Sequence, residues 1–514
     1  MEETWKPSVN PWLIAIAVMS ATFMEVLDTT IVNVALPHIA GSLSATVDEA
    51  TWVLTSYLVA NAIVLPTTGW LSRTFGRKKF LLTCIVLFTA ASAVCGAATS
   101  LPMLIVARII QGAGGGALQP ISQAVLLESF PPKKRGVAMA AFGMGVVVAP
   151  IIGPTLGGWL TDNYTWRWSF YVNLPVGVIA IMMILAFIED PPYARAQKRT
   201  SIDYFGFALL AIWVAALQII LDKGQEVDWL ASHFIRWLAV IGVGGLIAFL
   251  WWELTTEHPI VDLRVWKNRN FAMGTGMMTI LGVVLYGCTA LLPLFLQTVL
   301  GYPALQSGLT VSPRGFGSIA GMLIVGRLLG ILDGRTLIMI GFAILAYSTM
   351  LFGRLSLDVS MGNVMWPNIF NGFATALIFV PLTTLTMGTL RNDQMGNATG
   401  IFNLMRNLGG GIGIATVTTL LARRAQVHQN VMVQHVSPYN PAYQSWMAEV
   451  THKFGGGPGA SLHANGLLYS ELLRQAHLWA YIDNFRLLAF LSLLCIPFVL
   501  LFKRSQSRRA VMAH

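Results

Sequence analysis

The sequence predicts an all-α membrane protein with fourteen transmembrane helices. Of its 514 residues, 55% are hydrophobic and only 11% are charged, whereas soluble domains average about 25% charged residues. The apolar segments are roughly 20 residues long, the length that a helix needs to span the hydrocarbon core. Basic residues are concentrated in every second loop. The net charge of +10 therefore reflects membrane topology rather than nucleic-acid binding.

The predicted spans follow from the apolar segments in chain order. They lie near residues 12–36, 51–71, 80–99, 102–127, 137–160, 167–188, 203–221, 234–254, 271–297, 306–328, 336–353, 364–388, 397–421 and 484–502. Gly and Pro inside them count less against a helix than in water, because neighbouring helices satisfy the freed backbone groups. The first segment is too long for a cleavable signal peptide. All cysteines fall in apolar segments, so no disulfide framework is predicted.

The charges of the loops predict that both termini are cytoplasmic. One side carries most of the basic residues, namely Lys6, Arg73, Arg77, Lys78, Lys79, Lys133, Lys134, Arg135, Arg195, Lys198, Arg199, Arg264, Lys267, Arg269, Arg327, Arg335, Arg391, Lys503, Arg504, Arg508 and Arg509. The short loops on the other side carry Arg167, Lys223, Arg236 and Arg354. The positive-inside rule places the first side in the cytoplasm.

A weak internal repeat divides the chain. Leu36-Pro37 recurs as Leu292-Pro293 and Arg135 recurs as Arg391 at the same offset, as expected for two related six-helix halves. We predict an N-terminal half over 1–190, two inserted spans over 191–256, and a C-terminal half over 257–514 with a long polar outer loop at 422–480. The histidines in or beside that loop lack the spacing of a compact zinc site, so no metal is expected.

The first span carries acidic and polar side chains on one helical face. Thr22, Glu25, Asp28 or Thr29, and Asn33 follow a three-to-four-residue spacing. Ionisable groups inside a membrane are costly and are functional candidates by default. Two carboxylates one turn apart in a low dielectric resist simultaneous ionisation, which favours a proton on one of them. The alternative is a solvated pair of acids at a cavity mouth.

The fourth span contains an arginine and two glutamines. An unpaired guanidinium at Arg108 would be costly in the membrane, so this side chain must find a partner or water. Gln111 and Gln119 add polar groups to the same helix. The glycines after Gln111 do not form a nucleotide loop, because no strand precedes them and no Lys-Ser/Thr pair follows. The sequence therefore predicts no cofactor.

The fifth span combines a stripe of small residues with two prolines. One face of the predicted helix carries a small residue at every fourth position, namely Ala141, Gly145, Ala149, Gly153 and Gly157. Such a stripe lets another helix approach closely, and Pro150 and Pro154 predict kinks. This pattern predicts a helix that rocks against a neighbour, with a tightly packed static helix as the alternative.

Several of these runs resemble motifs of one transporter family. The stretch from Gly145 to Gly158, with G-P-T-L-G-G at its end and both Pro150 and Pro154 inside it, resembles the antiporter motif of major facilitator drug:proton exporters. The runs around Asp28 and Arg108 resemble the first-helix and fourth-helix motifs of these exporters. The runs at 166–175 and 292–302 resemble the EmrB/QacA branch. The resemblance implies the major facilitator fold, with two six-helix halves and two inserted helices.

The loop after the second span, G-W-L-S-R-T-F-G-R-K-K, resembles the facilitator signature between helices two and three. Gly69, Gly76, Arg77 and Lys78 match that signature. Arg73 stands where the signature usually has Asp, so the usual charge relay to a neighbouring helix end is not expected here. The alternative is that the loop supplies only the positive charge that fixes topology.

Further polar side chains lie in or near the spans of the second half, namely Gln297, Asn368, Asn371 and Arg406. Together with Asn33, Gln111 and Gln119 they are predicted to line a substrate cavity, with Arg406 in its cytoplasmic part.

The resemblance implies a proton-coupled multidrug efflux antiporter of the inner membrane that exports lipophilic compounds by alternating access. Asp28, with Glu25, would carry or gate the proton, Arg108 would tune it, and helix five would form the rocking seam between the access states. EmrB-type pumps work with a periplasmic adaptor, an EmrA-like membrane fusion protein, and an outer-membrane channel. Segment 422–480 is therefore predicted to contribute to adaptor docking.

Other functions remain as alternatives. An exporter of one specific metabolite would share the same motifs. The antiporter motif argues against an uptake symporter. An intramembrane enzyme would need a nucleophile–base or metal set, and the sequence has no HExxH or supported GxSxG run. A receptor or scaffold would leave Asp28 and Arg108 without a role.

Overall fold

The computed structural model describes residues 7–131, 134–190, 203–257, 259–329, 331–391, 394–455 and 459–502. These ranges are almost entirely helical, and eleven helices in them are long and apolar enough to span a membrane. Several basic residues used to predict topology lie outside the described residues, namely Lys6, Lys133, Arg195, Lys198, Arg199 and the cluster at 503–509. The predicted boundary at 191 also falls there.

Among the described residues, the first half and the inserted pair contain eleven α-helices. In chain order they are α1 (Pro11–Ser42), α2 (Val47–Ala50), α3 (Trp52–Phe75), α4 (Arg77–Gly96), α5 (Leu101–Gly115), α6 (Leu118–Ser129), α7 (Arg135–Asn163), α8 (Trp168–Tyr171), α9 (Asn173–Phe187), α10 (Tyr204–Lys223) and α11 (His233–Thr255). Helices α5 and α6 together form the predicted fourth span, and α8 and α9 form the sixth.

The second half is also mostly helical in its described residues. Its helices are α12 (Arg269–Leu294), α13 (Ala304–Val311), α14 (Pro313–Leu328), α15 (Gly334–Phe352), α16 (Met361–Met387), α17 (Met395–Val433), α18 (Pro441–Lys453) and α19 (Ala460–Val499). Side-chain caps fix several starts. For example, Asn10 Oδ1 accepts from Trp12 N at 3.0 Å and Asp333 Oδ1 accepts from Arg335 N at 3.1 Å, which satisfies otherwise free helix N–H groups.

Three of the predicted spans correspond to helices outside the eleven apolar ones. Helix α14 has only 16 residues, although α13 precedes it almost directly. Helices α3 and α17 are long enough but too polar to qualify. Both lie at the contact between the two halves, where polar side chains can meet protein rather than lipid.

The predicted outer loop is helical rather than irregular. Helix α17 continues to Val433 and α19 already begins at Ala460, with α18 packed on α19. We call the end of α17, helix α18 and the start of α19 the helical hairpin. Within it, Gln429 Nε2 donates to Tyr469 Oη at 3.4 Å. A polar sequence without turn residues can extend a transmembrane helix into water, and such an extension has no apolar segment that marks it in the sequence.

We call the end of the bundle where α1 begins the basic end, and the end that carries α18 the hairpin end. Each half packs internally, through α1 on α7 in the first and α12 on α17 in the second. The halves meet through α3 with α17 and through α7 with α14. At the basic end, Gly69 and Gly400 sit against the backbone of the opposite helix, with no room for a side chain. The basic end is therefore closed.

The inserted helices sit beside this contact. Helices α10 and α11 pack on each other, and α10 also touches α3 and α17. Near the hairpin end, Thr55 of α3 donates to Asp222 of α10. The turn that follows α10 reaches the second half, because Trp229 Nε1 donates to Thr419 Oγ1 at 3.0 Å. The inserted pair thus contacts both halves at the hairpin end.

Candidate functional site

A buried ion pair lies inside the first half. Arg108 Nη1 of α5 is 2.6 Å from Asp28 Oδ2 of α1, and both side chains are 0% exposed. The other Asp28 oxygen accepts from Gln111 Nε2 at 2.9 Å and from Asn173 Nδ2 at 2.7 Å. The carboxylate therefore has one cation and two amide donors as partners. A buried charge needs such a counter-charge and such hydrogen bonds to offset the loss of water.

The arginine has further partners that do not depend on Asp28. Arg108 Nε donates to the Val53 carbonyl at 3.1 Å, and Nη1 also donates to Gln111 Oε1 at 2.7 Å. Its guanidinium lies 4.1 Å from the centroid of the Tyr57 ring and 5.7 Å from that of Phe170, so the cation rests on aromatic faces. Its Nη2 atom has no hydrogen-bond partner among the described residues.

Ser92 supports this pair from α4. Its Oγ accepts from Gln111 Nε2 at 2.6 Å and from Asn173 Nδ2 at 2.9 Å. Gln111, Ser92 and Asn173 are all 0% exposed. Gln111 therefore belongs to the buried network around Asp28 and does not line an open cavity as predicted, because its whole amide is used to hold the ion pair.

Glu25 enters a different network, one turn earlier on α1. Its Oε2 accepts from Gln119 Nε2 at 2.7 Å, and its Oε1 lies 3.3 Å from Asn61 Nδ2 and 3.5 Å from Tyr57 Oη. The residue is 6% exposed. The two acids are thus separated into distinct hydrogen-bond networks, although the helical spacing predicts a shared face. Tyr57 is common to both sites.

Two side-chain contacts cross between the halves at this level. Arg406 Nη2 of α17 donates to Gln119 Oε1 of α6, and Asn403 Nδ2 donates to Gln123 Oε1 at 2.7 Å. Gln119 is therefore bound by Glu25 on one side and by Arg406 on the other. The two predicted cavity residues Gln119 and Arg406 lie together, and both connect to the acidic site.

The other predicted cavity residues lie apart from this site. Asn33 and Gln297 are exposed, and Gln297 lies in the short π-helix Phe295–Val299 that directly continues α12. Asn368 and Asn371 are buried and tie helices within the second half: Asn368 Nδ2 donates to the Val311 carbonyl at 2.7 Å, and Asn371 Nδ2 lies 3.4 Å from Thr349 Oγ1. Their amide nitrogens are thus turned towards neighbouring helices, and their part in lining a cavity stays a prediction.

The small-residue stripe of α7 faces α1, within the same half. A side chain at Gly153 would overlap Thr30, and one at Gly157 would lie 3.1 Å from the Ile31 carbonyl oxygen. Other residues of α7 contact the second half. For example, the Ile151 side chain packs directly on Gly315 of α14 and leaves no room there for a Cβ atom. The stripe therefore packs against α1 rather than against the second half, and the role of helix five as the rocking seam stays a prediction. The stripe fixes α7 to the helix that carries Glu25 and Asp28.

The remaining motif residues of α7 flank this contact. Gly145 lies against Met19 and Ala149 is fully buried, whereas Pro150 and Pro154 are exposed. At Gly158 the nearest atom to an added Cβ is Val34 Cγ1 at 3.9 Å, so this position is not tightly packed.

The loop between α3 and α4, which resembles the facilitator signature, contacts acidic side chains of other segments of the first half. Gly76 has a φ of +83°, which turns the chain between α3 and α4 and favours glycine. Arg77 forms a buried ion pair with Glu128, and Lys78 N donates to Asp190 Oδ1 at 2.9 Å. Arg73 Nε lies 3.3 Å from the Gly69 carbonyl oxygen. The loop therefore has a structural role beyond its charge, even with Arg73 in place of Asp.

Sequence reasoning missed several members of the site. Tyr57 and Asn61 are one turn apart in α3, a polar pair in an apolar span that could have been singled out. Asn173 lies inside the run at 166–175 but has no signal of its own. Outside this site, in α14 of the second half, Arg314 donates from Nη1 to Thr289 Oγ1 at 2.6 Å. Its position inside a predicted span also marked it as a functional candidate.

The family model described as Major Facilitator Superfamily matches residues 18–414. The "Multidrug export protein EmrB" of Escherichia coli strain K12 is 40% identical over 441 residues, which is 85% of each chain. The "Fatty acid resistance protein FarB" of Neisseria gonorrhoeae is 38% identical over 484 residues, or 94% of each chain. In fold, the chain is similar to the human organic anion transporter MFSD10 (TETRAN), with a TM-score of 0.60 at 14% identity, covering 94% of this chain and 100% of that chain.

These matches extend over both halves and include the site described above. They identify a multi-pass membrane transporter rather than an enzyme. The chain belongs to the Major Facilitator Superfamily, and within it to the EmrB type of multidrug exporter.

Proposed function

We propose that this protein is a proton-coupled antiporter that exports lipophilic compounds from the cytoplasm across the inner membrane. The observation that carries the proposal is the fully buried Asp28–Arg108 pair. A static scaffold gains little from such a pair, because desolvation of two charges offsets most of their attraction. An exporter driven by protons needs an ionisable group at this depth.

The surroundings of the pair support reversible proton binding at Asp28. If the carboxylate takes up a proton, Arg108 keeps the Val53 carbonyl and Gln111 Oε1 as acceptors. The cation therefore stays partly satisfied after its counter-charge is neutralised. Glu25 lies one turn away and contacts Gln119, which is bound to the second half. A change at the acidic residues can thus reach the contact between the halves.

The proposed topology has fourteen spans with both termini in the cytoplasm. The eleven apolar helices are supplemented by α3, by α13 with α14, and by α17. The basic end would face the cytoplasm, since it carries Arg73, Arg77 and Lys78. With that orientation, the closed basic end corresponds to an outward-facing state.

Transport in vesicles of purified protein tests this function against its alternatives. We expect a lipophilic dye to be moved against its gradient when a pH gradient is imposed, with protons moving in the opposite direction. Co-directional movement of dye and protons would indicate a symporter. Absence of any gradient-dependent movement would favour a receptor or scaffold. A panel of unrelated dyes separates multidrug export from export of one metabolite.

The helical hairpin is proposed to dock a periplasmic adaptor of the EmrA type, as part of a tripartite pump with an outer-membrane channel. The hairpin extends α17 and α19 beyond the spans and exposes apolar side chains near its tip. Phe454, Leu462 and Leu467 are 48%, 76% and 46% exposed. Apolar side chains grouped on an exposed surface are typical of a protein–protein contact, and the adaptor is the partner that the EmrB resemblance implies.

Replacing Phe454, Leu462 and Leu467 together with Gln should leave dye transport in vesicles unchanged but abolish drug resistance in cells. The reason is that the patch lies outside the spans, whereas resistance requires transfer to the adaptor. The matched control replaces Glu449 and Lys453, an exposed ion pair on α18, with Gln, and should keep both activities. Equal loss of vesicle transport and resistance in the triple variant would contradict a docking role.

A further inference from the structure

Gln119 joins the acidic site to the opposite half through both ends of one carboxamide. Its Nε2 donates to Glu25 Oε2 at 2.7 Å, and its Oε1 accepts from Arg406 Nη2. A carboxamide has donors at one end and an acceptor at the other. The two partners therefore fix the same orientation of the amide, because Glu25 as a carboxylate can only accept and Arg406 can only donate.

Arg406 depends on this connection for its counter-charge. It is only 7% exposed, and its Nε has no hydrogen-bond partner among the described residues. The sequences of helices α12 to α17 contain no Asp or Glu. The acid that Arg406 reaches through Gln119 is Glu25, in the other half of the molecule. A buried guanidinium without a compensating charge is strongly unfavourable.

We propose that Gln119 is a positioning residue that keeps the basic end closed while Glu25 is ionised and releases it when Glu25 binds a proton. This proposal rests on the proposed proton-coupled function and identifies how the acidic site is connected to the second half. A proton on a Glu25 oxygen removes the negative charge and converts that oxygen into a donor. The donor competes with Arg406 for Gln119 Oε1, and Arg406 loses its compensation. The α6–α17 contact then weakens.

The other charged or titratable groups around Glu25 are Asp28 on its own helix, Tyr57 on α3, Arg108 on α5 and Arg406 on α17. Asp28 is paired with Arg108 and has no hydrogen bond to Gln119 among the described residues. Arginine and tyrosine are residue types whose ordinary proton equilibria lie far from the mildly acidic to mildly alkaline range. A pH-dependent change in the Gln119 contact is therefore assigned to Glu25.

A cysteine reporter at the contact between the halves tests this proposal. Ser72 is 4% exposed and lies beside Gly396 of α17 at the basic end. In a chain whose four native cysteines are replaced by Ala, Ser72→Cys should react with N-ethylmaleimide only when α3 and α17 separate. Each rate is divided by the rate for the same variant denatured in detergent at the same pH, because the smaller thiolate fraction in acid slows alkylation by itself. We expect slow normalised alkylation in mildly alkaline buffer and normalised alkylation roughly tenfold faster in mildly acidic buffer, the effect of losing one hydrogen bond to a charged group.

Gln119→Leu in this background should give fast alkylation at both pH values. Glu25→Gln and Arg406→Met should do the same, which provides a readout if one variant fails to fold. The matched control is Gln123→Leu, which removes the uncharged Gln123–Asn403 contact between the same helices. Gln123→Leu should raise the alkylation rate at both pH values and keep the wild-type ratio of the acidic rate to the alkaline rate.

The proposal is overturned if Gln119→Leu keeps the wild-type pH ratio, or if Gln123→Leu abolishes it as well. Failure of the broader function gives a different result, since vesicles of the wild type would then show no dye transport driven by a pH gradient. Wild-type transport that is driven by the gradient, combined with an unchanged pH ratio in Gln119→Leu, would reject only the role of Gln119.

Discussion

Asp28→Asn is expected to bind substrate but to lose transport driven by a pH gradient. The asparagine cannot be ionised, so it can neither take up nor release the proton that drives exchange. It also leaves the Arg108 guanidinium without a counter-charge, and breaking a buried ion pair in this way costs about 3–5 kcal/mol. Dye uptake into vesicles under an imposed pH gradient should therefore fall to the level of protein-free vesicles.

Controls separate the loss of coupling from the loss of fold. The double variant Asp28→Asn/Arg108→Gln removes both charges and should unfold at a higher temperature than Asp28→Asn alone, while remaining inactive. Asp28→Glu keeps an ionisable group and should retain part of the transport with a shifted pH profile. Substrate affinity, measured by fluorescence titration, should be close to wild type in Asp28→Asn. Gradient-driven transport at the wild-type rate in that variant would remove Asp28 from the mechanism.

Gly153→Leu is expected to abolish transport while leaving the protein inserted in the membrane. The added side chain would overlap Thr30 and push α7 away from α1. Overpacking of this kind costs about 1–3 kcal/mol or more. Because α7 also carries the contact with α14 through Ile151, a displacement from α1 is passed to the second half. Dye transport in vesicles and the membrane yield of the purified protein are the two measurements.

Gly158→Ala is the matched control on the same helix. Its new methyl group would meet only Val34 Cγ1, at the ordinary contact distance of 3.9 Å. We expect it to keep the wild-type turnover. Wild-type turnover in Gly153→Leu would show that the close contact between α1 and α7 is not needed for transport.

The order and approximate extent of the helices could be predicted from the sequence, because long apolar segments have few alternatives in a membrane. The need for a partner or water at Arg108 followed from the cost of an unpaired guanidinium, but no pattern specified Asp28 as that partner. The helical hairpin was not predicted, since residues 422–433 and 460–480 are polar and resemble a loop in composition. Their helical state depends on continuing a helix that is already formed.

Contacts between helices could not be predicted from the pattern of one helix. The stripe on α7 indicated a close approach but not its partner, which is α1 rather than a helix of the second half. The spacing of Glu25 and Asp28 placed them on a common face, yet each turns to a different set of neighbours. Gln119 and Arg406 are 287 residues apart, so their contact follows only from the tertiary arrangement of the two halves.

Proton release on substrate binding is the measurement that tests the central claim most directly. Purified protein in weakly buffered solution with a pH-sensitive dye should release protons when a lipophilic substrate is added. We predict that release is abolished in Asp28→Asn, with substrate affinity retained. Glu25→Gln should reduce the release but not abolish it. Release from Asp28→Asn equal to that of the wild type would contradict the assignment, and Glu25 would then be the proton carrier to test.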